Sequence, residues 1–197
     1  MVRLKRDWTD KELINACLKQ NPIAQKKLYD SYSSRLYAIC LRYSKNEEEA
    51  QDILQDSFIK IFTKLDTYQY TGSFEGWLKR IVTNTSIEYF RRKIDLEKVE
   101  DVSFNPYLSV DSDKSLEVEE LLKMIQELPE GYRIIFNLYA IDGFTHSEIA
   151  KKLNISEGTS KSQLSRARAH LQKKFKEKFE LPRKSVQPLE SFFRLLK

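Results

Sequence analysis

Residues 142–179, DGFTHSEIAKKLNISEGTSKSQLSRARAHLQKKFKEKF, constrain the fold of this chain more than any other stretch. A short helical pattern of apolar residues ends at Leu153. The next residue, Asn154, is of a type that accepts the left-handed conformation found at helix ends. Ser156 can then cap a second helix by accepting hydrogen bonds from its first free N–H groups. The sequence therefore predicts two helices joined by a tight turn.

The second of these helices is strongly basic. Against Glu157 and Glu177 it carries seven cations, namely Lys161, Arg166, Arg168, Lys173, Lys174, Lys176 and Lys178. In a helix-turn-helix, the second helix enters the major groove with its first residues, while later cations contact phosphates. The alternative is a helical hairpin of the core with a solvated basic face. The turn chemistry and the one-sided charge favour DNA binding.

Charge is unevenly distributed along the 197 residues. The formal net charge is +5, yet residues 95–120 hold nine acidic and only two basic side chains. The flanking parts are therefore more basic than the average suggests. Two basic bodies joined by an acidic segment are typical of a protein that contacts nucleic acid at two places.

Several classes of function are disfavoured by what the sequence lacks. It has five glycines and no phosphate-binding or dinucleotide fingerprint. Cys17 and Cys40 are predicted to be buried, reduced thiols, and neither they nor His146 and His170 have ligand partners at metal spacing. No catalytic arrangement, signal core or membrane-length apolar run is present. We expect a cytoplasmic protein that is not an enzyme, needs no cofactor or metal and does not insert into membranes.

The first part of the chain predicts a helical bundle over residues 10–95. Thr9 and Glu12 form a capping box for a first helix. Apolar residues then recur at three- and four-residue intervals and predict helices over 22–44 and 46–65, and another that begins at Ser73.

The second part predicts a separate domain of four helices over residues 116–179. Its first helix ends at Leu128-Pro129, its second covers 132–141, and the helix-turn-helix follows. Residues 96–115 break the helical period and predict an acidic linker, and the tail at 180–197 has no assigned role. The predicted fold is thus all-α: two small helical domains joined by an acidic linker.

One side of the third helix is polar. Asp52, Gln55, Asp56 and Ile59 recur at spacings of three and four. Such a face can simply suit the helix dipole with acids near its start, it can dock another protein, or its paired carboxylates can do acid–base or metal chemistry. The residues alone leave these three interpretations open.

The fourth helix and the loop before it combine cations with aromatic rings. The side predicted to face away from the core carries Arg80, Asn84, Ile87, Arg91 and Arg92, and the loop holds Tyr68, Tyr70 and Gly72. Rings that stack on bases, next to arginines that contact phosphates, suit single-stranded nucleic acid, and such a loop could pocket an extruded base. The alternative is ordinary packing of the tyrosines with solvated arginines.

These segments, in this order, resemble the extracytoplasmic-function (ECF) group of bacterial RNA polymerase sigma factors, within the main sigma family. The resemblance is carried by NEEEAQDILQDSFIKIFTKL at 46–65, GSFEGWLKRIVTNTSIEYFRRK at 72–93, LPEGYRIIFNLY at 128–139 and GFTHSEIAKKLNISEGTSKSQLSRARAHL at 143–171. It implies a factor that binds core RNA polymerase, recognises promoters and helps to open DNA, with an anti-sigma factor as regulatory partner.

The resemblance also implies a role for each surface. Asp52, Gln55, Asp56 and Ile59 would dock on the clamp helices of the largest polymerase subunit. The loop and the fourth helix would recognise and open the minus-ten element, both as duplex and as single-stranded non-template DNA. The residues implied in this role are Tyr68, Tyr70, Arg80, Asn84, Glu88, Arg91 and Arg92. Those implied to contact the minus-thirty-five element are Thr159, Lys161, Ser162, Gln163, Arg166 and Arg168.

Two positions depart from the family pattern. Ser160 and Gln163 stand where the family more often has valine and arginine. Glutamine pairs with adenine and arginine with guanine, so the promoter sequence does not carry over from other members. The rival interpretation is a free-standing helix-turn-helix transcription regulator, which would bind duplex DNA without polymerase.

Overall fold

The computed structural model describes residues 8–97 and 116–179, and it contains no β-strand within them. Eight α-helices occur there: α1 Asp10–Leu18, α2 Pro22–Tyr43, α3 Glu47–Lys64, α4 Phe74–Glu97, α5 Leu116–Gln126, α6 Glu130–Phe136, α7 His146–Leu153 and α8 Glu157–Phe179. A 3₁₀ turn, Leu65–Thr67, follows α3, and a π-helical turn, Asn137–Ile141, follows α6. The all-α prediction is confirmed. Most of the predicted linker and the whole tail lie outside the described residues.

Local capping chemistry sets the predicted helix starts. The Thr9 hydroxyl accepts from the Glu12 amide at 3.3 Å, and the Glu12 carboxylate accepts from the Thr9 amide at 3.0 Å, which confirms the capping box. Ser73 likewise caps α4 by accepting from the Gly76 amide at 3.0 Å. Each such side chain satisfies an N–H that the helix itself leaves without a partner.

The chain divides into two compact units. Of the described residues, the first unit contains 8–40 and 51–86. Its core consists mainly of aliphatic side chains with almost no exposure: Ile14, Leu28, Leu36, Ile53, Ile61, Leu65, Leu78 and Val82. Cys17 and Cys40 are buried here and form no disulfide, as predicted. Burial raises the pKa of the Cys17 thiol to about 11.

The second unit contains residues 41–50, 87–97 and 116–179 of the described chain. In it α8 packs against α6 and α7. The buried apolar residues of this unit include Leu41, Ile87, Ile125, Leu128, Ile135, Phe136, Leu138, Ile149, Leu164 and Leu171. Helices α2, α3 and α4 contribute residues to both units. The predicted domain boundaries at 95 and 116 therefore remain a proposal.

A buried arginine organises the interior of the second unit. The Arg133 side chain is 3% exposed and donates to the carbonyl oxygens of Tyr43 at 3.1 Å, Gln126 at 2.8 Å and Leu128 at 3.3 Å. Its guanidinium also lies 3.7 Å from the Glu130 carboxylate. Burial lowers the pKa of Arg133, and the Glu130 charge opposes that effect. The carbonyls compensate a cation that would otherwise be costly to bury.

Two other buried side chains of this unit, Asn137 and Gln126, also donate to main-chain carbonyls. The Asn137 amide donates to the Arg42 carbonyl at 2.8 Å, and the Gln126 amide donates to the Leu41 carbonyl at 2.9 Å. The Asp142 carboxylate accepts from the Tyr43 hydroxyl at 2.5 Å and pairs with Arg42 at 3.2 Å. Residues 41–43 are thus held against the residues that lead to α7. Nothing in the sequence pattern predicted these contacts.

Candidate nucleic-acid interfaces

The turn between α7 and α8 has the predicted geometry. Thr145 and Glu148 form a capping box at the start of α7, where the Thr145 hydroxyl accepts from the Glu148 amide at 3.2 Å. Asn154 ends α7 with a φ of 54°, in the left-handed region. The Ser156 hydroxyl accepts from the Thr159 amide at 2.9 Å and caps α8. All three features confirm a helix-turn-helix.

Helix α8 presents a cationic, solvent-accessible side along its length. Lys161, Ser162 and Arg166 are exposed in its first half, and Lys173 and Lys176 are exposed further on. Short polar groups near the N-terminus can reach base edges, and later cations can reach phosphates. The surface formed by Lys161, Ser162 and Arg166 is called the α8 reading surface below.

Three other predicted contacts of α8 are less accessible than this surface. Thr159 is half-buried, and its hydroxyl lies 2.9 Å from that of Ser156. Gln163 is half-buried, and its amide group lies against Gly131, where an added Cβ would approach the Gln163 Oε1 to 3.1 Å. Arg168 is half-buried with its guanidinium 5.8 Å from the centre of the Tyr139 ring.

A polar contact inside the helix-turn-helix was missed by the sequence analysis. The His146 Nδ1 lies 2.9 Å from the Oγ of Ser160, and the His146 ring stacks on Tyr139 with centroids 4.4 Å apart. Ser160 is fully buried. The sequence does contain a signal for the burial of Ser160, because Ser160 shares helical spacing with the buried apolar residues Leu164 and Ala167. A serine on such a stripe requires a hydrogen-bond partner.

In the first unit, the loop before α4 contains two tyrosines in different environments. Tyr68 is buried, and its hydroxyl donates to the Gly72 carbonyl at 2.9 Å. Its ring lies against Tyr70, Phe74 and Trp77 at centroid distances of 4.9, 5.2 and 5.6 Å. Tyr70 is 50% exposed and has a φ of 58°. Tyr68 therefore supports the loop, and Tyr70 has a free ring face toward solvent.

The predicted nucleic-acid residues of α4 are mostly accessible. In the first unit Arg80 is exposed and Asn84 is half-buried. In the second unit Glu88, Arg91 and Arg92 are exposed, and the Arg92 and Glu88 side chains lie 4.0 Å apart. Ile87 was predicted to face away from the core, and this was wrong: it is 4% exposed. It packs in the interior of the second unit, to which this part of α4 belongs.

The polar side of α3 lies in the first unit. Asp52 and Gln55 are exposed, Asp56 is half-buried and Ile59 is 56% exposed. An exposed isoleucine beside carboxylates and an amide suits a protein-docking surface, which combines apolar with polar contacts. The face formed by Asp52, Gln55, Asp56 and Ile59 is called the α3 face below.

Within residues 8–97 and 116–179, no group of three or more His, Cys, Asp or Glu side chains is placed to hold a metal ion. Over the same part of the chain, no helix has the length and apolar character needed to cross a membrane.

Comparison with known protein families matches both halves of the chain. The family described as Sigma-70 region 2 matches residues 28–94, and the family described as Sigma-70, region 4 matches residues 118–171. The first match covers α3, most of α4 and the loop before α4 that contains Tyr68 and Tyr70, which is called the aromatic loop below. The second covers the helix-turn-helix.

Two relatives match over most of their length. The chain is 30% identical to the ECF RNA polymerase sigma factor SigW of Bacillus subtilis, over 85% of this chain and 97% of that protein. It is 28% identical to the ECF RNA polymerase sigma-E factor of Escherichia coli, over 87% and 96% of the two chains.

A solved structure shares the fold. It is the sigma factor RpoE of Bartonella quintana, described as a complex with the anti-sigma factor NepR. Its TM-score is 0.52 at 24% identity, over 80% of this chain and 98% of that one. Sigma factors are initiation factors of transcription and not enzymes, so the prediction that this chain is not an enzyme is confirmed. On the identity and coverage of SigW, this chain belongs to the ECF RNA polymerase sigma factors.

Proposed function

We propose that this sigma factor binds core RNA polymerase through its α3 face, reads the minus-thirty-five element with α8, and recognises and opens the minus-ten element with α4 and the aromatic loop. The observation that carries the proposal is the α8 reading surface, a capped helix N-terminus with exposed polar and cationic side chains behind a left-handed turn. This arrangement suits insertion into the major groove.

Reading of the upstream element would divide between two kinds of contact. Ser162 and Lys161 lie within two turns of the start of α8 and are exposed, so they can meet base edges or the nearest phosphates. Lys173 and Lys176 lie further along and would contact phosphates, which positions the protein without reading sequence. Salt should therefore weaken this binding strongly.

Opening of the downstream element would depend on the loop before α4. An exposed aromatic ring can stack on a base once that base leaves the duplex. Tyr70 has such a ring, whereas Tyr68 is committed to the support of the loop through Gly72 and the rings beneath it. Arg80, Arg91 and Arg92 are exposed cations of α4 that would contact the phosphates of the separated strands.

Docking on polymerase would use the α3 face. Its carboxylates can pair with cations of a partner, while the exposed Ile59, at the C-terminal end of the face, is available to be buried by that partner. We also propose an anti-sigma factor as a partner, as the family resemblance implies, and a cytoplasmic site of action, where the polymerase works.

Run-off transcription tests the proposal. Core RNA polymerase is incubated with a fragmented library of the source genome, with and without the full chain. New transcripts from discrete start sites are the expected result, and alignment of the sequences upstream of them would give both promoter elements. An absence of transcripts, together with specific binding of duplex fragments by the chain alone, would support the free-standing regulator instead.

A further inference from the structure

His146 is the first residue of α7, and it contacts α8 on one side and the π-helical turn on another. Its Nδ1 is within hydrogen-bond distance of the Ser160 Oγ, at 2.9 Å. One face of its ring stacks on Tyr139, with an interplanar angle of 22°. The side chain is half-buried, and Ser160 is fully buried. The imidazole thus links the start of α7 to the first turns of α8 and to the π-helical turn before them.

The position of Ser160 connects this link to the α8 reading surface. Ser160 directly precedes the exposed Lys161 and Ser162, and it lies on the buried stripe that continues through Leu164. A buried hydroxyl is costly unless it is hydrogen-bonded, and His146 supplies a partner. Any change in that hydrogen bond acts on the turn of α8 that carries the reading surface.

We propose that His146, acting through Ser160, is a positioning residue that holds the first turns of α8 for DNA binding, and that protonation of His146 weakens this binding. The proposal rests on the proposed function, because it requires α8 to be the reader of the upstream element.

The chemistry of imidazole gives the direction of the effect. A neutral imidazole has one nitrogen that accepts a hydrogen bond, whereas a protonated ring has none. In the tautomer whose Nδ1 carries no proton, that nitrogen accepts from the Ser160 hydroxyl. A protonated ring can only donate at Nδ1, so the hydrogen bond reverses and the buried Ser160 hydroxyl proton loses this acceptor. The added charge also meets unfavourable neighbours, since the charged groups of α8 that face His146 are Lys161, Arg168 and Glu157, two cations against one acid. Tyr139 on the π-helical turn adds a phenol ring.

These surroundings also determine the pH window. Burial first, and then Lys161 and Arg168, lower the pKa of His146 below its ordinary value of 6.5, against the opposing effect of Glu157. A histidine with a lowered pKa binds its proton more weakly in the folded chain than in the unfolded chain. Its contribution to stability is therefore complete above pH 6.5 and is lost as pH falls below that value toward the lowered pKa.

The experiment compares the full chain with three variants, His146→Phe, Ser160→Ala and the double variant, each assembled with core RNA polymerase. Phenylalanine keeps a ring for Tyr139 but has no nitrogen and does not titrate. The probe is a labelled promoter duplex recovered by the run-off experiment, measured against the same duplex with a scrambled upstream element. Affinities are measured from about pH 7.5 down to the lowest pH at which the natural chain remains folded, because the pKa of His146 lies below its ordinary value. Circular dichroism melting checks that each variant is folded.

At about pH 7.5, each single variant should bind the promoter about fivefold more weakly than the natural chain, the effect of one hydrogen bond, and the double variant should lose little more. On acidification, the ratio of the affinity of the natural chain to that of His146→Phe should fall toward one. His170, whose pKa burial also lowers, is present in both proteins, so its effect cancels.

Three results would overturn the inference. The first is that the ratio of the affinity of the natural chain to that of His146→Phe does not change with pH, and the second is that this ratio rises on acidification. The third is that a folded Ser160→Ala variant binds the promoter as tightly as the natural chain does. If His146→Phe does not fold, the affinity of Ser160→Ala relative to the natural chain still tests whether the link positions α8. A natural chain with no preference for the promoter duplex at about pH 7.5 would overturn the proposed function, and this inference with it.

Discussion

Replacement of Tyr70 with alanine should impair promoter opening without weakening the closed complex. Tyr70 is 50% exposed, and its ring contacts Tyr68 at a centroid distance of 4.9 Å. Its φ of 58° is rare for a bulky residue and costs roughly 1–3 kcal/mol. A strained backbone that presents an aromatic ring to solvent indicates a function for that ring, and base stacking is the function proposed above.

The magnitude follows from the loss of one stacked base. Base–aromatic stacking contributes about 1–3 kcal/mol per base, so the open complex should become about 5-fold to about 150-fold less populated relative to the closed one. Permanganate reactivity of promoter thymines measures opening, and filter binding at a temperature that keeps the DNA duplex measures the closed complex. Normal permanganate reactivity in Tyr70→Ala would refute the reasoning.

Two further variants separate the ring from its support. Tyr68→Phe removes the hydrogen bond to the Gly72 carbonyl, worth about 1 kcal/mol, but keeps the buried ring, so opening should change far less than in Tyr70→Ala. Tyr70→Gly also lacks the ring and should show the same opening defect as alanine. Because glycine adopts a positive φ without strain, it should not unfold more easily than the alanine variant. Different opening defects in the two would attribute the effect to the backbone.

Three other predictions concern the α3 face, the readout by Gln163 and the burial of Cys17. Replacement of Asp52 and Asp56 by lysine should lower the affinity for core polymerase about tenfold or more in a pull-down. The control, Asp66→Lys at another exposed acid, should leave that affinity unchanged. Unchanged affinity in the Asp52 and Asp56 variant would exclude the α3 face as the docking surface. Gln163→Arg should shift base preference at one or two upstream positions toward guanine, and unchanged start-site alignments would remove Gln163 from the readout. Cys17, whose pKa burial raises to about 11, should resist alkylation at about pH 8 unless the chain is denatured, and rapid labelling of the native chain would contradict its burial.

Local chemistry made much of the fold predictable. The capping box at Thr9, the left-handed Asn154 and the Ser156 cap each depend on residues within a few positions of one another. Such interactions are present in the sequence before any tertiary contact forms. In the candidate site, the exposure of Lys161 and Arg166 was predictable as well, because exposed positions there follow the helical period.

The wrong placement of Ile87 shows where period alone is insufficient. One helical stripe predicts one buried face, but α4 contributes to the first unit up to Ser86 and to the second from Ile87. The set of neighbours therefore changes along the helix, and the buried side chains change with it. A single amphipathic pattern fitted to the whole helix assigns Ile87 by its average angle and misses this change.

Buried polar side chains were beyond prediction for a different reason. Arg133 reads as an ordinary basic residue of α6, and the Tyr43 carbonyl to which it donates lies 90 positions earlier in the chain. Asn137 donates to the Arg42 carbonyl across 95 positions. Backbone carbonyls are the same at every residue, so no side-chain pattern marks those that will serve as acceptors. Ser160 differs, because its place on an apolar stripe marks it as a group that needs a partner, even though the sequence does not name His146.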